Sequence, residues 1–366
     1  MVVLSFAPEE FDATDDRLLR PSLLGAYGGS MNPSRVLVAD DSAVVRRLLQ
    51  AVISEDPEME VAGVAANGRI ALAMLEQTST DLVTLDLEMP EVDGLTMLRH
   101  LRRKHERLPV LIFSGASKRA PVAGLQALSL GATDYITKPS ACVNSSAAIA
   151  ALREQLVPRI KTLCRKRNAP CAASSPWRSQ RAERQGQSPI AVVAIGISTG
   201  GPNALAQLVA SLPGDLPVPV LVVQHMPARF TGFLAERLAL VSAVPVREAE
   251  SGEAIVAGIV WIAPGDQHLV VTRTAGQEQL QVSQSPPENS CRPSVDVLSR
   301  SVAAIFGERV LAIVMTGMGQ DGLRGVREIC SAGGRVWAQD ADTSTVWGMP
   351  GFVAQQGLAE RVLPLS

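Results

Sequence analysis

No apolar run in this chain reaches the roughly 18 residues that a helix needs to cross a bilayer, so membrane insertion is not expected. An excess of charge of either sign is missing too: 34 Lys and Arg stand against 36 Asp and Glu, a net of -2. That balance offers nucleic acid no electrostatic footing, and no nucleic-acid partner is expected. The first thirty residues lack the basic start of a secretory signal, which makes the cytoplasm the expected compartment. The five cysteines, Cys142, Cys164, Cys171, Cys291 and Cys330, are odd in number, widely spaced and without a CxxC. Neither a disulfide framework nor a zinc site is indicated, and they read as reduced thiols.

What the chain does have is length and alternation. Its 366 residues exceed one ordinary core and suit two domains. From Arg35 to about Ser140 short apolar runs (RVLVAD, EVAGVA, DLVTLDL, PVLIFS, DYITK) alternate with amphipathic stretches such as AVVRRLLQAVI and LTMLRHLRRK. Five strands and intervening helices imply a parallel sheet whose ligands gather at the carboxyl ends of the strands. A helix is predicted from Ser145 to Leu163, then a stretch rich in Arg, Ser, Pro and Gln without apolar period. Alternation resumes at Ile190 with IAVVAIGIS, a helix from Pro202, PVPVLVVQH, a helix near FLAERLALV and a β-rich middle holding GIVWIAPG and HLVVTR. A helix from Pro293 to Phe306, the strand RVLAIVMTG, a helix from Leu323, the strand GRVWAQD and a last helix near Val353 follow. The expected fold is two doubly wound parallel-sheet α/β domains joined by a linker. The boundaries are an extension over 1–33, a first domain over 34–155, a linker over 156–188 and a second domain over 189–366. Met31, which opens directly onto the first strand, is the expected true start.

Asp40 and Asp41 end the first strand and Asp86 the third, so three carboxylates converge at one rim. Carboxylates that close repel unless a cation joins them, and a hard divalent ion such as Mg2+ accepts such oxygen ligands while neutralising an incoming phosphoryl group. Asp86 is then the nucleophile. Ser114 ends the fourth strand, where its hydroxyl can donate to phosphoryl oxygen, and Lys138 ends the fifth, where its ammonium can pair with it. Singly these are turn or cap residues; together at four strand ends they form a constellation. The stretch resembles the response-regulator receiver domain over about 110 residues, through Asp40, Asp41, Asp86, Ser114 and Lys138 followed by Pro139. The resemblance implies an acyl phosphate on Asp86 donated by a histidine kinase, a cis Lys138-Pro139 bond, and an aromatic at Tyr135 that moves with the hydroxyl residue.

In the second half an apolar strand runs into Gly196, Ile197, Ser198, Thr199 and Gly200, and Pro202 opens a helix. A sharp strand-to-helix turn would expose Ser198 beside backbone N–H groups suited to an oxyanion. GxSxG alone is equally well a glycine-rich turn with a serine cap. His225 ends the next strand, and Asp321 lies in the loop after VLAIVMTGMG, which supplies a nucleophile, a base and an orienting acid. The order Ser, His, Asp differs from that of α/β-hydrolases, so their fold is not implied. His268 reads as the start of a strand or the close of a turn, Asp296 lies within a helix and Asp340 ends a strand. A competing pattern is the GxGxxG of Gly317, Gly319 and Gly322 followed by Asp340, a local match to a dinucleotide fingerprint that leaves Ser198 and His225 unexplained.

From about Ile190 to Leu363 the chain resembles the catalytic domain of the chemotaxis methylesterase (CheB) family, through GISTGG, VVQHMPARFTGFLAERL, APGDQHL, RPSVDVL, MTGMGQDG and WGMPG. It departs at Ile197, where alanine is usual, and at Trp347, where tyrosine is common. The resemblance implies hydrolysis of glutamate methyl esters on chemoreceptors, with glutamine deamidation. Ser198, His225 and Asp321 would carry the chemistry, Thr199 and Met318 would lie near it, and the esterase step would need no cofactor. A receiver resting over the serine site would restrain it until Asp86 is phosphorylated. A non-enzymatic, phosphorylation-dependent receptor adaptor stays open as the rival, with dinucleotide binding behind it.

Overall fold

The computed structural model describes residues 32–115, 120–138, 146–168 and 188–365. The extension up to Met31, Pro139 with its expected cis bond, Cys142, Cys171 and linker residues 169–187 lie outside the described residues.

Strands β1 (Ser34–Ala39), β2 (Met59–Ala65), β3 (Leu82–Leu85), β4 (Val110–Ser114) and β5 (Asp134–Thr137) form a parallel sheet in the order β2-β1-β3-β4-β5. Between them run α1 (Ala43–Ser54), α2 (Gly68–Gln77), α3 (Gly94–Lys104) and α4 (Ala120–Ser129). Because crossover helices cover both faces, the central strands are largely apolar; β3 and β4 are buried throughout. The chain reverses direction across the sheet between β1 and β3, which puts the carboxyl ends of those two strands at a crevice.

Helix α5 (Ser146–Asn168) outruns the predicted helix and crosses residue 155, the expected domain boundary. Leu156, Ile160, Leu163 and Cys164 are why: all are buried in one apolar cluster with Val36 and Val38 of β1 and Leu111 of β4. An apolar stripe of that length keeps the helix on the sheet past residue 155 as far as Cys164.

The second half carries a seven-stranded parallel sheet in the order β14-β13-β12-β6-β7-β9-β8. In chain order its elements are β6 (Val192–Ile197), α6 (Gly201–Ala210), β7 (Val220–Gln224), α7 (Phe230–Ala239), β8 (Val246–Glu248) and β9 (Val260–Ile262). An antiparallel hairpin of β10 (His268–Thr274) and β11 (Gln277–Ser283) follows, then α8 (Val295–Phe306), β12 (Val310–Val314), α9 (Leu323–Ser331), β13 (Arg335–Gln339), α10 (Met349–Gln355) and β14 (Arg361–Leu363). Sequence periodicity missed β14 because a three-residue, largely exposed edge strand carries no alternation to read. The direction reverses between β6 and β12, so this crevice receives the segments holding Ser198 and Asp321. No described helix is long and apolar enough to cross a membrane.

The halves touch through α4 and β5 on one side and the starts of α6 and α7 on the other. Tyr135 and Phe230 pack ring to ring with centroids 4.6 Å apart. Asn203 Nδ2 donates to the Leu128 carbonyl at 2.8 Å.

Candidate functional sites

At the rim of the first sheet, Asp40 and Asp86 follow β1 and β3, with Asp41 beside them; oxygens of all three carboxylates lie within 4.8 Å of one another. Asp40 is anchored by the Ser42 N–H at 2.9 Å. Lys138 Nζ reaches Asp86 Oδ2 at 2.6 Å and Asp40 Oδ2 at 2.7 Å. Burial raises both aspartates above the usual carboxylate range and outweighs Lys138, which works in the opposite direction. Burial disfavours the Lys138 ammonium in turn, but its two carboxylate partners hold its pKa up. One ammonium against three carboxylates leaves a net of about two negative charges, a donor set suited to a divalent cation with oxygen preference. Ser114, 1% exposed, ends β4, and its carbonyl accepts from the Lys138 N–H at 2.8 Å. Tyr135 is buried, and burial pushes its phenol up to about 12, with neighbouring Thr137 working in the opposite direction.

In the second sheet Ile197 of β6 pairs with Gln224 of β7, so Ser198 and His225 leave adjacent strands side by side. Gln224 Nε2 clamps the two exits, donating to the Ser198 carbonyl at 3.0 Å and the His225 carbonyl at 3.1 Å. The turn after Ser198 passes through Gly200 at φ +80, where a Cβ would collide with Thr345. Gly317 lets the β12 loop approach the serine; a Cβ there would sit 2.8 Å from the Ser198 Cβ. Ser198 N–H donates to the Thr316 carbonyl and Gly201 N–H to the Ser198 carbonyl, which engages two of the N–H groups at the turn. Thr199, 3% exposed, is fixed at both ends: its carbonyl accepts from Thr316 Oγ1 at 2.9 Å, and its hydroxyl donates to Asp134 Oδ2 of β5 at 2.7 Å. Met318 follows Gly317 and packs with Val346 against the apolar cluster of the first domain.

Asp321 approaches His225 as expected, with Oδ2 2.7 Å from Nε2. A carboxylate can only accept here, so Nε2 carries a proton, and in the neutral imidazole Nδ1 keeps its lone pair. The carboxylate also sits on the first turn of α8, accepting from Val295 N–H at 2.7 Å, Ser294 Oγ at 2.8 Å and Asp296 N–H at 3.2 Å. Asn289 Nδ2 adds a bond of 2.8 Å. Burial works against the charged Asp321, yet the hydrogen bond and charge of His225 with the Val295 and Ser294 donors hold it down to about 2. Burial disfavours the imidazolium likewise, and its hydrogen bonds to Asp321 and Cys291 override that, pushing His225 up to about 10.

Ser198 does not join this pair directly. Among the described residues its hydroxyl makes no hydrogen bond, and Cys291 Sγ occupies His225 Nδ1 at 3.7 Å. Such bonds are commonly long before substrate binds. His268 is structural: it begins β10, accepts from Ser294 N–H and bonds the Pro286 carbonyl, bracing the segment that meets Asp321. Asp296 takes the Gly325 N–H and Asn289 Nδ2, and Asp340 caps its own loop through Thr343. The GxGxxG loop is folded onto the serine turn, with the Gly317 carbonyl accepting from Gly348 and Met349. Sequence reasoning missed Gln224, Asn289, Cys291, Ser294 and Asp134. Only Gln224 carried a local signal, a polar residue ending an apolar strand.

The family model described as CheB methylesterase matches residues 193–366, and that of the response regulator receiver domain matches residues 36–150. A protein-glutamate methylesterase/protein-glutamine glutaminase of Trichodesmium erythraeum is 47% identical over 91% of this chain and 96% of its own. One from a Nocardioides species is 47% identical over 90% of this chain and 92% of its own. The solved catalytic domain of Thermotoga maritima CheB methylesterase covers 49% of this chain and 94% of its own, at 42% identity and a TM-score of 0.48. With two full-length relatives at that identity and both halves matched, the chain belongs to the protein-glutamate methylesterase/protein-glutamine glutaminase family.

Proposed function

We propose that the chain hydrolyses glutamate methyl esters, and deamidates glutamines, on chemoreceptors in the cytoplasm, under control of phosphorylation at Asp86. Ser198 Oγ attacks the ester carbonyl carbon and its proton passes to His225 Nδ1. Collapse of the tetrahedral adduct breaks the C–O bond, and methanol leaves with that proton. Water then attacks the acyl-enzyme, His225 takes the new proton, and glutamate and free Ser198 result. An amide follows the same route with ammonia leaving. Asp321 holds the imidazole in the tautomer that exposes Nδ1 and stabilises the imidazolium. Thr199 and Met318 shape the wall around the serine. No cofactor is assigned to these steps.

The observation that carries this reading is the 2.7 Å contact of His225 with Asp321 at strand ends placed beside Ser198. On the receiver, Asp40, Asp41 and Asp86 would hold Mg2+, which when bound neutralises the incoming phosphoryl group. A histidine kinase is the proposed donor, with Ser114 and Lys138 reading the phosphoryl oxygens and Tyr135 relaying the change. The division into an extension (1–33), a receiver (34–155), a linker (156–188) and a catalytic domain (189–366) belongs to the same proposal. Leu156 to Cys164, at the front of that linker, are helical and packed on the receiver core.

The test is methanol release from a carboxymethylated chemoreceptor fragment. Ser198→Ala should lower it by about 10⁶-fold, the cost of removing a triad nucleophile. Absence of any Ser198-dependent release would turn the reading toward an adaptor.

A further inference from the structure

Cys291 has no part in the chemistry above, yet its Sγ faces the one nitrogen of His225 that the mechanism uses, at 3.7 Å. The thiol is held there by a built loop. Glu288 and Cys291 exchange backbone hydrogen bonds at 3.1 and 2.9 Å. Between them Asn289 and Ser290 adopt positive φ, at 52° and 60°. Arg300 pins Glu288 through both carboxylate oxygens. Asn289 bridges Asp321 and Asp296, so the turn is also tied to the acid of the triad. Cys291 is partly exposed and the His225 side chain is 13% exposed, so a small ion can reach both.

We propose that Cys291 and His225 form a binding site for a borderline-soft divalent cation of the zinc type, and that the cation holds the esterase inactive while bound. Zinc bonds imidazole nitrogen at about 2.0 Å and thiolate at about 2.3 Å, which at a tetrahedral angle separates the two ligand atoms by about 3.5 Å. The observed separation is 3.7 Å, so neither side chain has to move far. The far side of the ring is equally suited. A metal-binding histidine usually donates its other N–H to a carboxylate, and Nε2 donates here to Asp321. The Asp321 carboxylate lies within reach of the cluster, but its lone pairs already take five donors. It therefore orients the histidine, and water completes the coordination. Two protein ligands and water make a site that a chelator empties, as a reversible control requires. Cation at Nδ1 removes the lone pair that would accept the Ser198 proton; this inhibitory part rests on the function proposed above, whereas the binding part does not. Ligand type separates the site from the receiver rim, where three carboxylates suit a hard ion and offer no sulfur. Spacing rules gave no zinc signal because the ligands lie on elements far apart in the chain.

The test uses the full chain and Co2+ as a spectroscopic probe, read by its thiolate-to-cobalt charge-transfer absorption. Wild type and Asp86→Asn should both develop the band with one equivalent and lose it on adding Zn2+. Cys291→Ser and Cys291→Ala, two variants that guard against a folding defect in either, should lack it. With zinc at about ten times its dissociation constant, methanol release by wild type should fall roughly tenfold and recover with a chelator. Each cysteine variant should keep its own zinc-free rate. A band of equal strength in both cysteine variants, or equal zinc sensitivity, overturns the proposal. If zinc-free wild type releases no methanol, the esterase reading fails, and the Cys291-dependent band still decides the site.

Discussion

The Thr199 hydroxyl donates to Asp134 Oδ2 at 2.7 Å, tying the residue beside Ser198 to the receiver strand that carries Tyr135. Arg159 Nε holds the same oxygen at 3.2 Å, so the acceptor is fixed from the receiver side as well. A hydrogen bond to a charged acceptor contributes about 1.5 kcal/mol or more, which corresponds to roughly tenfold in a docking equilibrium. Asp134→Ala should therefore raise methanol release by unphosphorylated protein about tenfold. The variant should also respond less to an acyl-phosphate donor, because part of the restraint is already gone.

The neutral form of His225 is the base, and its raised pKa sets the pH profile. The rising limb of kcat/KM should lie above pH 6.5, the ordinary histidine value, and extend toward about 10. Stability should run the other way. A group raised in the folded state contributes fully below pH 6.5 and loses that contribution as pH rises through about 10. Denaturant midpoints measured from pH 6 to 10 should fall in wild type and stay flatter in His225→Gln. Cys291→Ser should move the kinetic limb to lower pH, since the thiol is one of the groups that raise His225.

Asp321→Asn keeps the shape of the acid but can donate to Nε2, favouring the tautomer with Nδ1 protonated. A loss of about 10⁴ in kcat is expected with little change in KM, as for an orienting acid in a Ser-His-Asp triad. Steady-state kinetics on the methylated fragment give both parameters.

Lys138 stands between two nearly inaccessible carboxylates, with Asp40 and Asp86 side chains 2% and 4% exposed. Lys138→Met should cost roughly 3 kcal/mol of stability in metal-free buffer, since it leaves buried negative charge unpaired. Added Mg2+ should restore part of that loss in a urea titration.

Legibility followed locality. The four functional strand ends of the receiver and the elbow around Ser198 could be read because each functional residue closes an apolar run. His225 was legible for the same reason, and Asp321 because a glycine-rich loop follows β12. Asn289, Ser294 and Cys291 were not, since their roles come from a loop and a helix start brought to Asp321 from about 30 residues away. Helix α5 crosses the expected boundary at residue 155 because Leu156, Ile160, Leu163 and Cys164 carry its apolar stripe onto the receiver core. The Asp134 contact depends on how two domains meet, and no periodicity within either one encodes that.

Control of Ser198 by Asp86 is tested most directly by hydrolysis itself. Methanol release should be followed in wild type, Asp86→Asn and Ser198→Ala, each with Mg2+ and with or without a small acyl-phosphate donor. Release that needs Ser198 and rises with the donor in wild type but not in Asp86→Asn is the predicted result. Equal stimulation of wild type and Asp86→Asn, or none in either, would contradict control of the serine site by the receiver.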